Sequence, residues 1–292
     1  MFKKTYALAD NAPPPMTWAD YEARAIREWQ QLLGSASAND EPTLQRFLEQ
    51  HPTMVPGAYG TGAPSGHSPF PKALVSQPPL QGLGSRIPDF MWIAKDSETI
   101  CPVLIEIEKP TKRWFREDGV PDAHFTQALD QITEWKAWFK QAPNIQVFRD
   151  FYRIPDDLWR ARNFEPSYIL IYGSRREFEA REDLARKRRL QARDNEYHMT
   201  FDRLAPDPRA DGLLTVKITR PAEYIALAWP PTVQFSPFVA EDFALIQDKE
   251  SAITASSWLT AERRAFLESR CSYWDTWGRS SPKGLIGVSD VE

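Results

Sequence analysis

Apolar and polar positions along the chain fall into a run of helical and strand periods. Between Thr17 and Gly34, Trp18, Tyr21, Ala25, Trp29 and Leu32 recur at helical spacing and share one face. Thr17 can cap that helix, with Asp20 three residues on as a weaker relative of the capping box, and Gly34 supplies the stop. Such a stripe must be covered, and part of it is expected at an interface with a second subunit. Residues 35–40 read as a short linker, after which Asp40, Glu41 and Pro42 start a second helix with Leu44, Phe47 and Leu48 on its buried side. From His51 to Gly84 prolines and glycines are dense, which predicts a long irregular surface segment with room for a functional loop. Two strands follow, over residues 89–94 and 102–108. A helix over about 123–140, an apolar strand over 168–172 closed by Gly173, and a basic helix come next. Residues 213–219 and 223–229 predict a strand pair around Arg220 and Pro221, and residues 261–277 a last helix presenting Phe266, Leu267, Cys271 and Trp274. Residues 279–292 carry few apolar side chains and read as a disordered tail.

Composition narrows the class. The 292 residues are 42% hydrophobic and 26% charged, which is ordinary for a globular protein with a sizeable core. The longest apolar runs, 168–172 and 225–229, fall far short of the roughly 20 residues that cross a bilayer. With no signal peptide at the start, the expectation is a cytoplasmic protein without a membrane partner. Cys101 and Cys271 form no CxxC pair and read as packing residues. His51, His67, His124 and His198 lack metal-ligand spacing, so a zinc enzyme is not indicated. Gly60, Gly62 and Gly66 imitate a dinucleotide fingerprint, but the last spacing is one residue too long and no strand precedes them. A P-loop and a Gly-x-Ser-x-Gly elbow are both missing. The net charge of −4 argues against a general polyanion binder, so any DNA contact must be local. Residues 174–193 offer one candidate face, with eight basic and four acidic residues. The same pattern fits a solvated helix with i,i+4 charge pairs.

The chemistry concentrates between residues 88 and 109. Pro88-Asp89 opens one strand, and Glu106-Ile107-Glu108-Lys109 ends the next. Side chains alternate along a strand, so Glu106 and Glu108 share one face while Ile107 turns to the other with Val103 and Ile105. Antiparallel pairing of the two strands would bring Asp89 within reach of Glu106. Two or three carboxylates at a strand end suit Mg²⁺ (or Mn²⁺), a hard ion that takes oxygen ligands. Such an ion activates water and neutralises charge in phosphodiester hydrolysis.

Several ordered blocks around these carboxylates agree with one family. They are Glu41-x-x-Leu44-Gln45-x-Phe47-Leu48-Glu49-x-His51-Pro52, Ile87-Pro88-Asp89-Phe90, Leu104-Ile105-Glu106-Ile107-Glu108-Lys109-Pro110-Thr111, and Ala128-Leu129-x-Gln131-Ile132-x-x-Trp135. The segments Ile169-Leu170-Ile171-Tyr172-Gly173-Ser174-Arg175-Arg176 and Thr200-Phe201-Asp202-Arg203-Leu204 complete them. Over residues 41–207 the chain resembles the Shedu antiphage nucleases of bacteria, a branch of the PD-(D/E)XK superfamily. The resemblance implies an α+β or α/β fold built on a restriction-endonuclease-like αβββαβ core with a mixed sheet. It also implies metal-dependent cleavage or nicking of DNA, phage DNA above all, a defence role, and homo-oligomers, commonly tetramers. A helical N-terminal arm (1–40), the core (41–207), a C-terminal strand pair and helix (208–278) and the tail (279–292) follow as expected units.

Asp89 and Glu106 are then the expected catalytic metal ligands. The superfamily usually has lysine two residues after the second carboxylate, where this chain has Glu108, with Lys109 one step later. Either Glu108 substitutes and helps hold metal or water, which is the favoured reading, or a bulge brings Lys109 round. Gln131 matches a family block, lies one turn from Gln127, and is expected to orient the site. Trp135 and Trp138 read as core. Lys112, Arg113 and Arg116, just beyond the catalytic strand, are expected to contact DNA, with residues 186–193 as the second group. Rival readings are a DNA-binding protein that keeps the nuclease fold without activity, and an oligomeric interaction protein.

Overall fold

In chain order the helices are α1 (Trp18–Leu33), α2 (Glu41–Gln50), α3 (Ala123–Phe139), α4 (Ala142–Phe151), α5 (Asp156–Trp159), α6 (Glu182–Gln191), α7 (Ala240–Phe243), α8 (Lys249–Ala255) and α9 (Ala261–Arg279). The strands are β1 (Phe70–Ser76), β2 (Phe90–Lys95), β3 (Thr99–Ile107), β4 (Asn163–Phe164), β5 (Ser167–Ile171), β6 (Glu196–Met199), β7 (Leu214–Ile218), β8 (Tyr224–Ala228) and β9 (Ile246–Gln247). This computed structural model describes residues 3–61, 66–82 and 87–292; Gly62 of the imitation fingerprint and the expected loop end at Gly84 lie outside them. The fold is α+β, with one mixed nine-stranded sheet ordered β6-β5-β3-β2-β1-β7-β8-β9 and β4 beside β3.

Strand alternation divides the core in two. Val103, Ile105 and Ile107 of β3 face a cluster with Tyr21, Ala25 and Trp29 of α1 and Leu44 and Leu48 of α2. Leu104 of β3 faces the opposite cluster with Ile132 and Trp135 of α3 and Leu267 and Trp274 of α9. Helices thus cover both faces, and the strands are apolar on both sides as such burial demands.

Sequence and structure part company in four places. Residues 51–84 are not a surface loop throughout: residues 51–55 are buried and β1 pairs antiparallel with β2 and parallel with β7. Pro71 and the positive φ of Lys72 (63°) interrupt the strand pattern there, and the register of β1 against β2 shifts between Phe70 and Val75. The tail is ordered through polar contacts instead of apolar ones. Glu292 is buried and pairs with the buried Arg263, whose Nη1 donates to Glu292 Oε2 at 2.5 Å and to the Pro13 carbonyl at 2.8 Å. The α1 stripe is covered within the chain: Tyr21 meets Trp258, and Trp29 meets Phe47 and Phe201. The second subunit expected at that stripe is not needed there. The expected boundary at residue 207 falls inside the sheet, because β7 pairs with β1.

Candidate active site

The site forms where β2 begins and β3 ends. In the antiparallel register Phe90 pairs with Ile105, and the Asp89 N–H donates to the Ile105 carbonyl at 3.1 Å, which sets Asp89 across from Glu106. Both side chains point to the α3 face, the side of Leu104 and Met91. Like charges placed opposite each other on neighbouring strands repel, so a pair held this way needs a reason beyond folding.

Local bonds fix each carboxylate. Asp89 Oδ2 accepts from the Ile107 backbone N–H at 2.7 Å. The Asp89 carbonyl accepts from the Gln77 N–H at 2.8 Å and from Gln45 Nε2 at 3.2 Å. Glu106 is 7% exposed, hydrogen-bonds the Gln131 side chain, and leaves Oε2 buried without a hydrogen-bond partner. Burial is the main force on both acids. It pushes Asp89 up to about 8, with Glu41 and Glu108 adding repulsion and the Ile107 N–H opposing it. Burial, then Asp89, Glu108 and Glu41, raise Glu106 well above the usual carboxylate range. At neutral pH the metal-free pair therefore retains a proton.

The remaining expected residues divide. Gln131 reaches the pair, while Gln127 stays exposed. Glu108 lies one residue past the end of β3, its N–H donating to the Ile171 carbonyl at 3.0 Å. Its carboxylate acts on Asp89 and Glu106 through charge, but one oxygen is tied to Lys112. Lys109 begins a turn, its carbonyl accepting from the N–H groups of Lys112 at 3.1 Å and Gly173 at 3.2 Å. Gly173 is required there: at φ 62° a Cβ would stand 2.6 Å from Trp114 Nε1 and 2.8 Å from the Lys112 carbonyl. Lys112, expected on DNA, thus faces the carboxylates, whereas Arg113 and Arg116 lie exposed beside Glu117 and Asp118. Trp135 and Trp138 are core. His51 is buried among Tyr21, Phe47 and Trp258, where burial and Arg24 push it down to about 3.

Two residues of the site were not singled out from sequence. Glu41, in the first turn of α2, is raised by its half-burial and by Glu108, and restrained by Lys112 and Lys109. One turn on, Gln45 is buried and bonds Ser76 Oγ as well as the Asp89 carbonyl. Both stand in the first family block, which was their only signal.

Among the described residues no three His, Cys, Asp or Glu side chains form a ready metal shell. Two facing carboxylates are nonetheless what Mg²⁺ commonly takes from a protein, water and substrate phosphate filling the other positions. The unpartnered Glu106 Oε2 fits such an ion, since a buried carboxylate oxygen without a donor is costly unless a proton or cation meets it. Across the whole chain, the sequence model of the family described as Shedu protein SduA, C-terminal, matches residues 38–205, more than half of the length. No protein of curated function matches the chain.

Proposed function

The chain belongs to the family described as Shedu protein SduA, C-terminal, and on that premise we propose that it is a metal-dependent DNA endonuclease or nickase of the PD-(D/E)XK type, acting in bacterial antiphage defence. The observation that carries this reading is the facing Asp89–Glu106 pair at a strand end, Asp89 half-buried and Glu106 buried with an unpartnered oxygen. With α4, α5 and the two-residue β4 inserted between α3 and β5, the order α2-β1-β2-β3-α3-β5 agrees with an αβββαβ core.

Asp89 and Glu106 would hold Mg²⁺ or Mn²⁺, which when bound supplies Lewis-acid activation of water and neutralises charge on the phosphate. The chain's own groups prepare that chemistry. The Ile107 N–H anchors one Asp89 oxygen and leaves the other for a ligand. Gln131 orients the Glu106 carboxylate. Glu108 keeps the local charge negative while Lys112 restrains it, so Glu108 positions Lys112 near the reacting phosphate in place of the lysine that the superfamily carries two residues after its second carboxylate. Glu41 adds a carboxylate from α2. With purified protein, supercoiled plasmid should be nicked or linearised in Mg²⁺ or Mn²⁺ and left intact in EDTA. Intact supercoiled and linear DNA with either metal, while the protein still binds DNA, would instead favour the rival reading of a DNA-binding protein without activity.

A further inference from the structure

An acidic strand-end pair repels a polyanion, so nearby cations must hold DNA against it. Two basic groups follow the strands β3 and β5 in the chain. In the loop after β3 three of the four cations have a carboxylate at hand: Lys112 meets Glu108, Arg113 lies 3.8 Å from Glu117, and Arg116 lies 2.7 Å from Asp118, while Lys109 stands at the head of the turn. The second group differs. Arg175, Arg176, Arg186, Arg189 and Arg203 are all exposed, and among the described residues none of their side chains makes an ion pair. The acids beside them are mostly committed elsewhere. Glu177 accepts from the backbone N–H groups of Trp114 and Phe115 at 2.9 Å each, Asp183 pairs with Arg181 at 3.0 Å, and Asp202 accepts from the Arg175 N–H at 2.6 Å. Glu179 and Glu182 complete the acidic residues of the segment.

This ridge is built onto the edge that carries the site. Lys187 Nζ donates to the Gly119 carbonyl at 2.6 Å, and Arg188 stacks over Trp114 at 5.2 Å and Phe178 at 4.8 Å. Phe201 donates its N–H to the Gly173 carbonyl at 3.2 Å, and Gly173 in turn bonds Lys109. Burial first, then Arg203 and Arg189, hold the Arg188 guanidinium below its usual range, with Glu177 only partly offsetting the repulsion among the arginines. Phosphate would relieve that repulsion.

Resting on the reading of the site as one that cuts DNA, we infer that Arg175, Arg176, Arg186, Arg189 and Arg203 form the face on which the backbone of duplex DNA docks, while Lys112 serves the carboxylates. The test is the affinity of the full chain for a fluorescein-labelled duplex oligonucleotide, measured in EDTA by anisotropy over a range of salt concentrations. Exposed Arg→Gln changes on α6 keep helix propensity, so Arg186→Gln/Arg189→Gln should fold as the wild type. It should bind more weakly at every sequence and lose about 1.8 from the log–log salt slope, at roughly 0.9 per phosphate contact. Arg113→Gln/Arg116→Gln should keep most of the slope. An unchanged slope in the α6 variant, with wild-type binding and metal-dependent cleavage intact, overturns this docking face and leaves the nuclease reading standing. A wild-type chain that neither binds nor cuts the duplex overturns both.

Discussion

Two facing carboxylates at one end of a sheet, Glu106 buried and Asp89 half-buried, are a cost to the folded chain until something neutralises them. Asp89 has an ordinary value near 3.8 and a folded value pushed up to about 8, so the folded state binds its proton more tightly than the unfolded state does. Stability should therefore fall as pH rises between those values, once metal is removed by EDTA. Asp89→Asn cannot ionise and escapes this loss. It should melt above the wild type at pH 8, by about 2–4 °C for each ~1 kcal/mol relieved, and the gap should close near pH 4. Equal melting temperatures at pH 8, followed by calorimetry, would show that the pair is not strained. At this scale the sequence was informative where the motif was local. The two-residue period put Glu106 and Glu108 on one face, and antiparallel pairing of the two strands, which β2 and β3 show, was needed to bring Asp89 across from Glu106. Nothing in the sequence shows that the turn at Lys109 brings Lys112 back to Glu108.

Elements with clear caps and periods were legible, and α1 begins and ends as Thr17 and Gly34 specify. Thr17 Oγ1 accepts from the Asp20 N–H at 3.2 Å and donates to Asp20 Oδ2 at 2.7 Å, a side-chain bond where a full capping box would use the Thr17 backbone N–H. β1 was hidden because Pro71 and Lys72 break its pattern and because burial on both faces removes the alternation that marks a half-exposed strand. The role of α2 was equally hidden, since only tertiary packing sets its Glu41–Gln45 face against β1 and β2. Gln45 couples those elements by bonding Ser76 and the Asp89 carbonyl. Gln45→Ala should cost about 1 kcal/mol, a typical net value for such bonds, and should weaken Mn²⁺ binding because Asp89 loses a support. Calorimetric titration with Mn²⁺ beside a thermal melt separates the two effects, and unchanged Mn²⁺ affinity would show that α2 only packs.

At the scale of the whole molecule, strands after residue 207 extend the same sheet, and the C-terminal residues close against α9 through Arg263 and Glu292. Such long-range polar closure leaves no local trace in a segment poor in apolar residues, which is why the tail looked disordered. With the α1 stripe largely buried inside the chain, any homo-oligomer must be built mainly on other faces. Among the described residues no helix is long and apolar enough to cross a membrane. Strands β2 and β3 and helices α2 and α3 all bring residues to the strand end where Asp89 meets Glu106, so that pair is the centre of the proposed chemistry. The most direct measurement is the rate of supercoiled-plasmid nicking at increasing Mn²⁺ for the wild type and for Glu106→Gln, which keeps shape and removes one ligand charge. The wild type should show saturable, metal-dependent nicking, and Glu106→Gln should lose at least about 100-fold while folding and binding DNA normally, in line with the transition-state stabilisation such a charge supplies. Equal nicking by the two proteins at every Mn²⁺ concentration would contradict the account.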